Sequence, residues 1–358
     1  MGRGRNKLIR PALIVSEDTL LEYSIFLEHL LVGLTDESIP AALVCPVGCE
    51  VDSIVPPSVE VVSLPTFTMP LMGGKSREIV IERLKDFKAD VLHCFSESKA
   101  ALTRLLAQQL AVPYVLTVNS LHKRWGRIFV PLKDCFKVIV PAESIATSVT
   151  RIYPRLAERV TQINIGTFVG ETSGCFSEPG LLASMVTDYS SGNEEAFENL
   201  LGAARHLLID GYEFMLVIMG GVRGEKGLRR LIAAMDLSQI VVCVPRLKPW
   251  RSVLAAGDIF IRPWPSDAFD PLLLEAMSVG AAVAGCKGGV DDLIIEGKTA
   301  VVFDPNDELS IYNSLKGLFD RQESARQLAA GAQKYLRDNH TVNKMVADIV
   351  QVYREAVR

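Results

Sequence analysis

Five carboxylates, Asp267, Asp270, Glu275, Asp291 and Asp292, crowd into "RPWPSDAFDPLLLEAMSVGAAVAGCKGGVDDLI", residues 262–294. Side chains of this type can accept bonds from hydroxyls or from the free N–H groups of a helix start, pair with a cation, or hold a divalent ion through oxygen. The order Asp270, Pro271, then "LLLEAM" reads as a helix beginning, with Asp at the N-cap and Pro at the first helical position. A helix N-terminus otherwise attracts anions, so this one is expected to be filled by the protein's own carboxylate. Arg262, in the apolar strand "IFIRP", needs a partner if buried, and a salt bridge to Asp267 or Asp270 would supply one. Metal binding by these acids is the weaker reading.

Other residues offer less. His93 ends an apolar strand and reads either as a base or as a hydrogen-bonded core histidine. "NSLHKRWGR", residues 119–127, gathers His122, Lys123, Arg124, Trp125 and Arg127 beyond a strand. It fits an anionic acceptor, a membrane surface or a solvated loop. "PLMGGKSRE" lacks the spacing of a phosphate loop. Cys45 and Cys49, in "CPVGC", have no second ligand pair at metal spacing, so no metal or cofactor is expected. Trp250 and Trp264 are expected to pack, although Trp264 stands beside the acidic turn.

The elements that must position these residues alternate along the whole chain. Strand-length runs such as "ALIVS", "AALVC", "ADVLHCF" and "PYVLTV" are separated by stretches of helical period. That is the rhythm of parallel sheets covered by helices. "INIGTFVGETSGCFSEPG" interrupts it with Gly, Ser and Pro, and a second series follows. With 358 residues a single core is exceeded. The expected class is α/β, with two Rossmann-like doubly wound domains facing a central cleft. The expected ranges are 1–168, 169–335, and 336–358 as a C-terminal helix returning to the first domain. Ligands of open α/β sheets bind at the carboxyl ends of the strands, and function is expected there.

The formal charge is −4, from 38 basic and 42 acidic residues, which gives no field for nucleic acid. No run is long and apolar enough to span a bilayer. Seven cysteines, an odd number scattered along the chain, suit a reducing compartment. A cytoplasmic location is expected, with peripheral contact at the inner face of a membrane as the alternative.

Three stretches resemble the retaining nucleotide-sugar glycosyltransferases of family 4, the glycosyl transferases group 1, which have the GT-B fold. They are "ADVLHCFSESKAALTRLLAQQLAVPYVLTVNS", "CFKVIVPAESIATSVTRIYPRLAERVTQINIGTFV" and "DIFIRPWPSDAFDPLLLEAMSVGAAVAGCKGGVDDLIIEGKTAVVFDPND". The last is similar to the family's signature, with its two acids at Asp267 and Glu275, and Ser266 beside the first is a donor-side candidate. The resemblance implies that Asp267 faces the transferred sugar and that Glu275 takes the ribose. His93 stands in the family's Asp-Val-x-His strand, and Asn119 stands where the family carries its active-site His. His122 and Arg124 are left as acceptor-side candidates.

The departures gather at the donor. The family's diphosphate-holding Arg and Lys fall on Ser190 and Glu195, and the Gly that approaches the phosphates is Asp270. "SEDTLLEYS" replaces the first Gly-rich loop. Ser190, Glu195, Asp267, Asp270 and Glu275 therefore bring four carboxylates and no cation to a diphosphate site. Hydrogen bonds to charged groups contribute about 1.5–3 kcal/mol each, so losing two weakens affinity by orders of magnitude. The favoured expectation is a non-catalytic or weakly active relative, acting as a partner subunit for a glycosyltransferase or a polysaccharide assembly protein. The first alternative is an active retaining enzyme with a rebuilt donor pocket that uses Asp267, Glu275 and Arg262. The second is a sugar or lipid-carrier binder using the first domain.

Overall fold

The computed structural model describes residues 8–64, 73–121, 134–171, 175–176, 182–189, 193–220, 226–245 and 250–358. They form two units, Met1–Gly166 with His340–Arg358, and Thr167–Asn339. The first boundary lies two residues before the expected one. The second lies four residues after it.

The first unit opens with β1 (Pro11–Ile14), α1 (Glu17–Glu22), α2 (Ser24–Asp36), β2 (Ala42–Pro46) and β3 (Glu60–Leu64). It continues through α3 (Gly73–Phe87), β4 (Val91–Cys94), α4 (Ala100–Leu110), β5 (Tyr114–Thr117), β6 (Cys135–Val140), α5 (Glu143–Ile152) and β7 (Val160–Gln162). The strands make one parallel sheet of order β3-β2-β1-β4-β5-β6-β7. β1, β4 and β5 are buried at every position, the mark of strands covered on both faces. After β1 the chain enters a helix at once, because the Ser16 hydroxyl accepts from Thr19 N–H at 3.2 Å. "SEDTLLEYS" is thus a capped helix start.

The second unit runs β8 (Ala183–Asp188), α6 (Glu194–Ile209), β9 (Phe214–Met219), α7 (Lys226–Ala234), β10 (Val241–Val244) and α8 (Trp250–Ala255). β11 (Ile259–Arg262), α9 (Pro271–Val279), β12 (Ala282–Gly285), β13 (Val301–Val302), α10 (Glu308–Asp320) and α11 (Gln322–Asn339) complete it. Its six strands are parallel, in the order β10-β9-β8-β11-β12-β13. The order reverses between β8 and β11, so the crevice beyond their carboxyl ends is where such a sheet takes a ligand. Trp264 packs near Phe197 of this unit's core, with ring centroids 6.1 Å apart.

The last helix, α12 (Val342–Ala356), belongs to the first unit and packs on its α2. Gly33 on α2 allows this approach, since a Cβ there would sit 2.4 Å from Val346. Tyr353 then reaches the sheet and bonds His93 Nδ1 at 2.6 Å, while His93 Nε2 bonds Thr117 Oγ1 at 2.7 Å. His93 has no exposed surface. Burial pushes its pKa down to about 3 and that of Tyr353 well above the ordinary phenol range. The ring is a neutral link from β4 to β5 and α12.

That link predicts acid sensitivity. An unfolded imidazole takes up a proton near pH 6.5, whereas folded His93 resists protonation down to about pH 3. The unfolded state binds more protons between these values, so stability falls as pH drops through the window. Urea unfolding should show a loss from this residue approaching about 1.4 kcal/mol per pH unit. NMR of the His93 ring should show neutral imidazole at about pH 5, and a protonated ring there would overturn the account.

Candidate functional site

The loop after β11 and the start of α9 lie at the switch point of the second sheet. α9 is buried at all eight positions from Pro271 to Ser278, so any charge on it must be answered inside the fold. Glu275 is 2% exposed. Its Oε1 accepts from Thr167 Oγ1 at 2.5 Å, and its Oε2 accepts from Arg251 Nη1 at 2.9 Å and Ser278 Oγ at 3.4 Å. Arg251 also donates to Phe168 O at 2.6 Å. Both carboxylate oxygens are committed to α8 and to the segment that opens this unit.

Asp270 caps α9. Its backbone is extended at φ −104° and ψ 97°, and Oδ1 accepts from Leu272 and Leu273 N–H at 3.0 Å each. Pro271 needs no acceptor at N1, and Gly280, at φ 88°, ends the helix in the left-handed conformation. The other Asp270 oxygen lies 3.8 Å from Arg262 Nε. Arg262 is 4% exposed, and its Nη1 and Nη2 both donate to Val290 O at 3.1 Å. This guanidinium is turned inward beneath the Gly288–Gly289 loop and is not presented to solvent.

That loop is tied to the acidic turn. Val290 N–H donates to Ser266 O at 2.7 Å, and Gly289, at φ +74°, comes so close that a Cβ would lie 2.1 Å from the same oxygen. Only Gly fits there. Asp291 Oδ2 accepts from Gly288 N–H at 2.8 Å. Ser266 Oγ closes its own turn by accepting from Ala268 N–H at 3.1 Å. Of the five acids, Asp270, Glu275 and Asp291 therefore serve local structure. Asp267 is exposed and Asp292 half-buried.

The remaining expected residues scatter. Glu195 is exposed in the first turn of α6. Asn119 follows β5 half-buried, with its amide oxygen unpartnered among the described residues. His93 is the buried link described above. Ser190, His122 and Arg124 lie outside the described residues. Lys287 pairs with Glu296 at 3.7 Å. Thr167 and Arg251, which hold Glu275, were not read from the sequence: 108 and 24 residues separate them from their acceptor. Among the described residues no group of three or more His, Cys, Asp or Glu could hold a metal, and no helix is long and apolar enough to cross a membrane.

Similarity to known proteins covers this region. Residues 191–335, which include β11, α9 and the glycine loop, match the family described as glycosyl transferases group 1. Solved structures share the fold across both units: a glycosyltransferase from Rickettsia africae ESF-5 superposes with a TM-score of 0.80 at 14% identity, covering 98% of this chain and 99% of that one. This chain has the GT-B fold, and its residues 191–335 resemble the group 1 glycosyl transferases. Anabaena Alr3699/HepE, solved with UDP and glucose, superposes on this GT-B chain with a TM-score of 0.79 at 14% identity, over 97% and 100% of the two chains. Among curated proteins, sulfoquinovosyl transferase SQD2 of Arabidopsis thaliana is 33% identical over 301 residues, 74% of this chain. D-inositol 3-phosphate glycosyltransferase of Salinispora tropica is 29% identical over 154 residues, 40% of this chain. The matched regions span 56% and 32% of those relatives' lengths.

A carboxylate so engaged should be felt in folding. Glu275→Ala is expected to cost roughly 2–4 kcal/mol by leaving Arg251 and Thr167 without their acceptor. Glu275→Gln, which keeps an oxygen for Thr167, should cost less. Chemical denaturation checks both, and an alanine variant as stable as the parent would remove Glu275 from its structural role.

Proposed function

We propose that this chain is a non-catalytic or weakly active GT-B glycosyltransferase relative, serving as a binding or partner subunit in glycan assembly, whose donor site holds nucleotide-sugars poorly. The observation that carries this reading is the Asp270 carboxylate bonded to the first free N–H groups of α9. Those N–H groups would otherwise favour a diphosphate. Two further features support it: Glu275 has both oxygens engaged, and Arg262 is buried against Val290 O and Asp270.

A second reading, an active retaining transferase with a rebuilt donor site, is favoured by two observations. Asp267 is exposed on the loop ahead of α9. The chain also shares 33% identity with a transferase over 301 residues. In that reading Asp267 faces the transferred sugar, and the donor draws its cations from residues other than the buried Arg262.

Calorimetric titration with UDP-, GDP- and ADP-sugars separates the two. The parent chain is expected to bind none of them at micromolar affinity. Asp270→Gly should gain on the order of tenfold for a nucleoside diphosphate by freeing the helix start and removing a like charge. Its stability should drop by only about a few tenths of a kcal/mol, since Gly is tolerated at an N-cap. Micromolar binding by the parent, with sugar transfer abolished by Asp267→Asn, would establish the second reading instead.

A further inference from the structure

A cavity of about 830 Å³ lies away from the acidic turn, where α10, α11 and the segment 296–302 meet at the β13 edge. Two glycines shape its walls. Gly317 sits on the α10 face that lines the cavity and Gly331 on the facing side of α11, where a Cβ would meet Lys298 O at 2.6 Å. Among the described residues, the atom near a hypothetical Cβ on Gly317 is Arg321 Nη2, at 3.1 Å. The Arg321 guanidinium is therefore folded back across the cavity wall.

The charge lining this cavity is unbalanced. Arg321 makes no ion pair or side-chain hydrogen bond among the described residues. Lys298, which also lines the cavity, lies over the face of Tyr335, at 5.2 Å from the ring centroid, and makes no ion pair among the described residues. The one acid in the lining, Glu296, is already paired with Lys287. A chain with a formal charge of −4 thus keeps two uncompensated cations in one concavity. Between them lie Asn313, Ser314 and Ser324, whose amide and hydroxyl groups have no side-chain partner among the described residues. Cations suit a phosphate, and amides and hydroxyls suit a polyol. The volume falls within the range of small-ligand sites and far exceeds what an inorganic anion fills.

We propose that this groove is a second ligand site, separate from the donor crevice, that binds a phosphate-bearing sugar, with Arg321 and Lys298 on the phosphate and Asn313, Ser314 and Ser324 on the hydroxyls. The site does not depend on whether the chain is catalytic. It would allow a sugar phosphate to be sensed by a protein whose donor crevice is closed to diphosphates.

Titration of the full chain with glucose 6-phosphate, inorganic phosphate and glucose tests this. Glucose 6-phosphate is expected to bind with a Kd on the order of 1 mM or tighter, more strongly than either fragment. Arg321→Gln and Lys298→Gln, both at exposed positions, should each weaken it about tenfold without altering thermal unfolding. Binding that is absent, that survives both substitutions, or that is no stronger than for phosphate alone would overturn the proposal. Excess UDP-glucose serves as the control: it should leave glucose 6-phosphate affinity unchanged, and competition would place the ligand in the donor crevice instead.

Discussion

A charge on a helix with no exposed face has to find its partner inside the protein, and in this chain Glu275 on α9 sets that requirement. Its answer comes from Thr167 and Arg251, and Arg251 in turn holds Phe168 O. Gly170 N–H donates to Ser278 O on the same helix, and Arg337 on α11 donates to Gly170 O. The opening segment of the second unit is therefore fastened to α9 by a carboxylate that, in the family this chain resembles, is expected to take a ribose. A sugar hydroxyl seeking Glu275 competes with a bond already made in a dry environment, where leaving either partner unsatisfied is costly.

The neighbouring turn follows the same logic with different atoms. Asp270 occupies the start of α9, Arg262 is held beneath it, and Gly289 presses onto the carbonyl of Ser266 so closely that no side chain fits. Each contact satisfies a backbone or charged group locally, and together they keep the Arg262 guanidinium away from solvent at the switch point of the sheet. Electrostatics and hydrogen bonding thus point one way, which is why the functional reading rests on this turn rather than on overall charge.

In the first unit the comparable polar residue is His93, and its surroundings are equally closed. Tyr353 arrives from the last helix and Thr117 from the adjacent strand, so the ring spends both nitrogens on holding elements together. Buried and neutral, it joins α12 to the sheet.

The sequence alone determined the layer architecture, because strands covered on both faces must be apolar throughout and helices must carry a 3.6-residue stripe. It also determined the cap on α9, since an Asp-Pro step ahead of a leucine run acts within one turn. The pairing of Arg262 with Asp270 was legible as one of two options, since a cation in an apolar strand needs a nearby acid. Tertiary structure alone decided that Glu275 is enclosed and answered by Thr167 and Arg251, that His93 is locked by a tyrosine 260 residues away, and that Arg321 folds over Gly317 into a groove. Those outcomes depend on which side chains distant elements deliver to one point. Periodicity and spacing record the local chain, and burial partners are set only when the sheets and helices close around them.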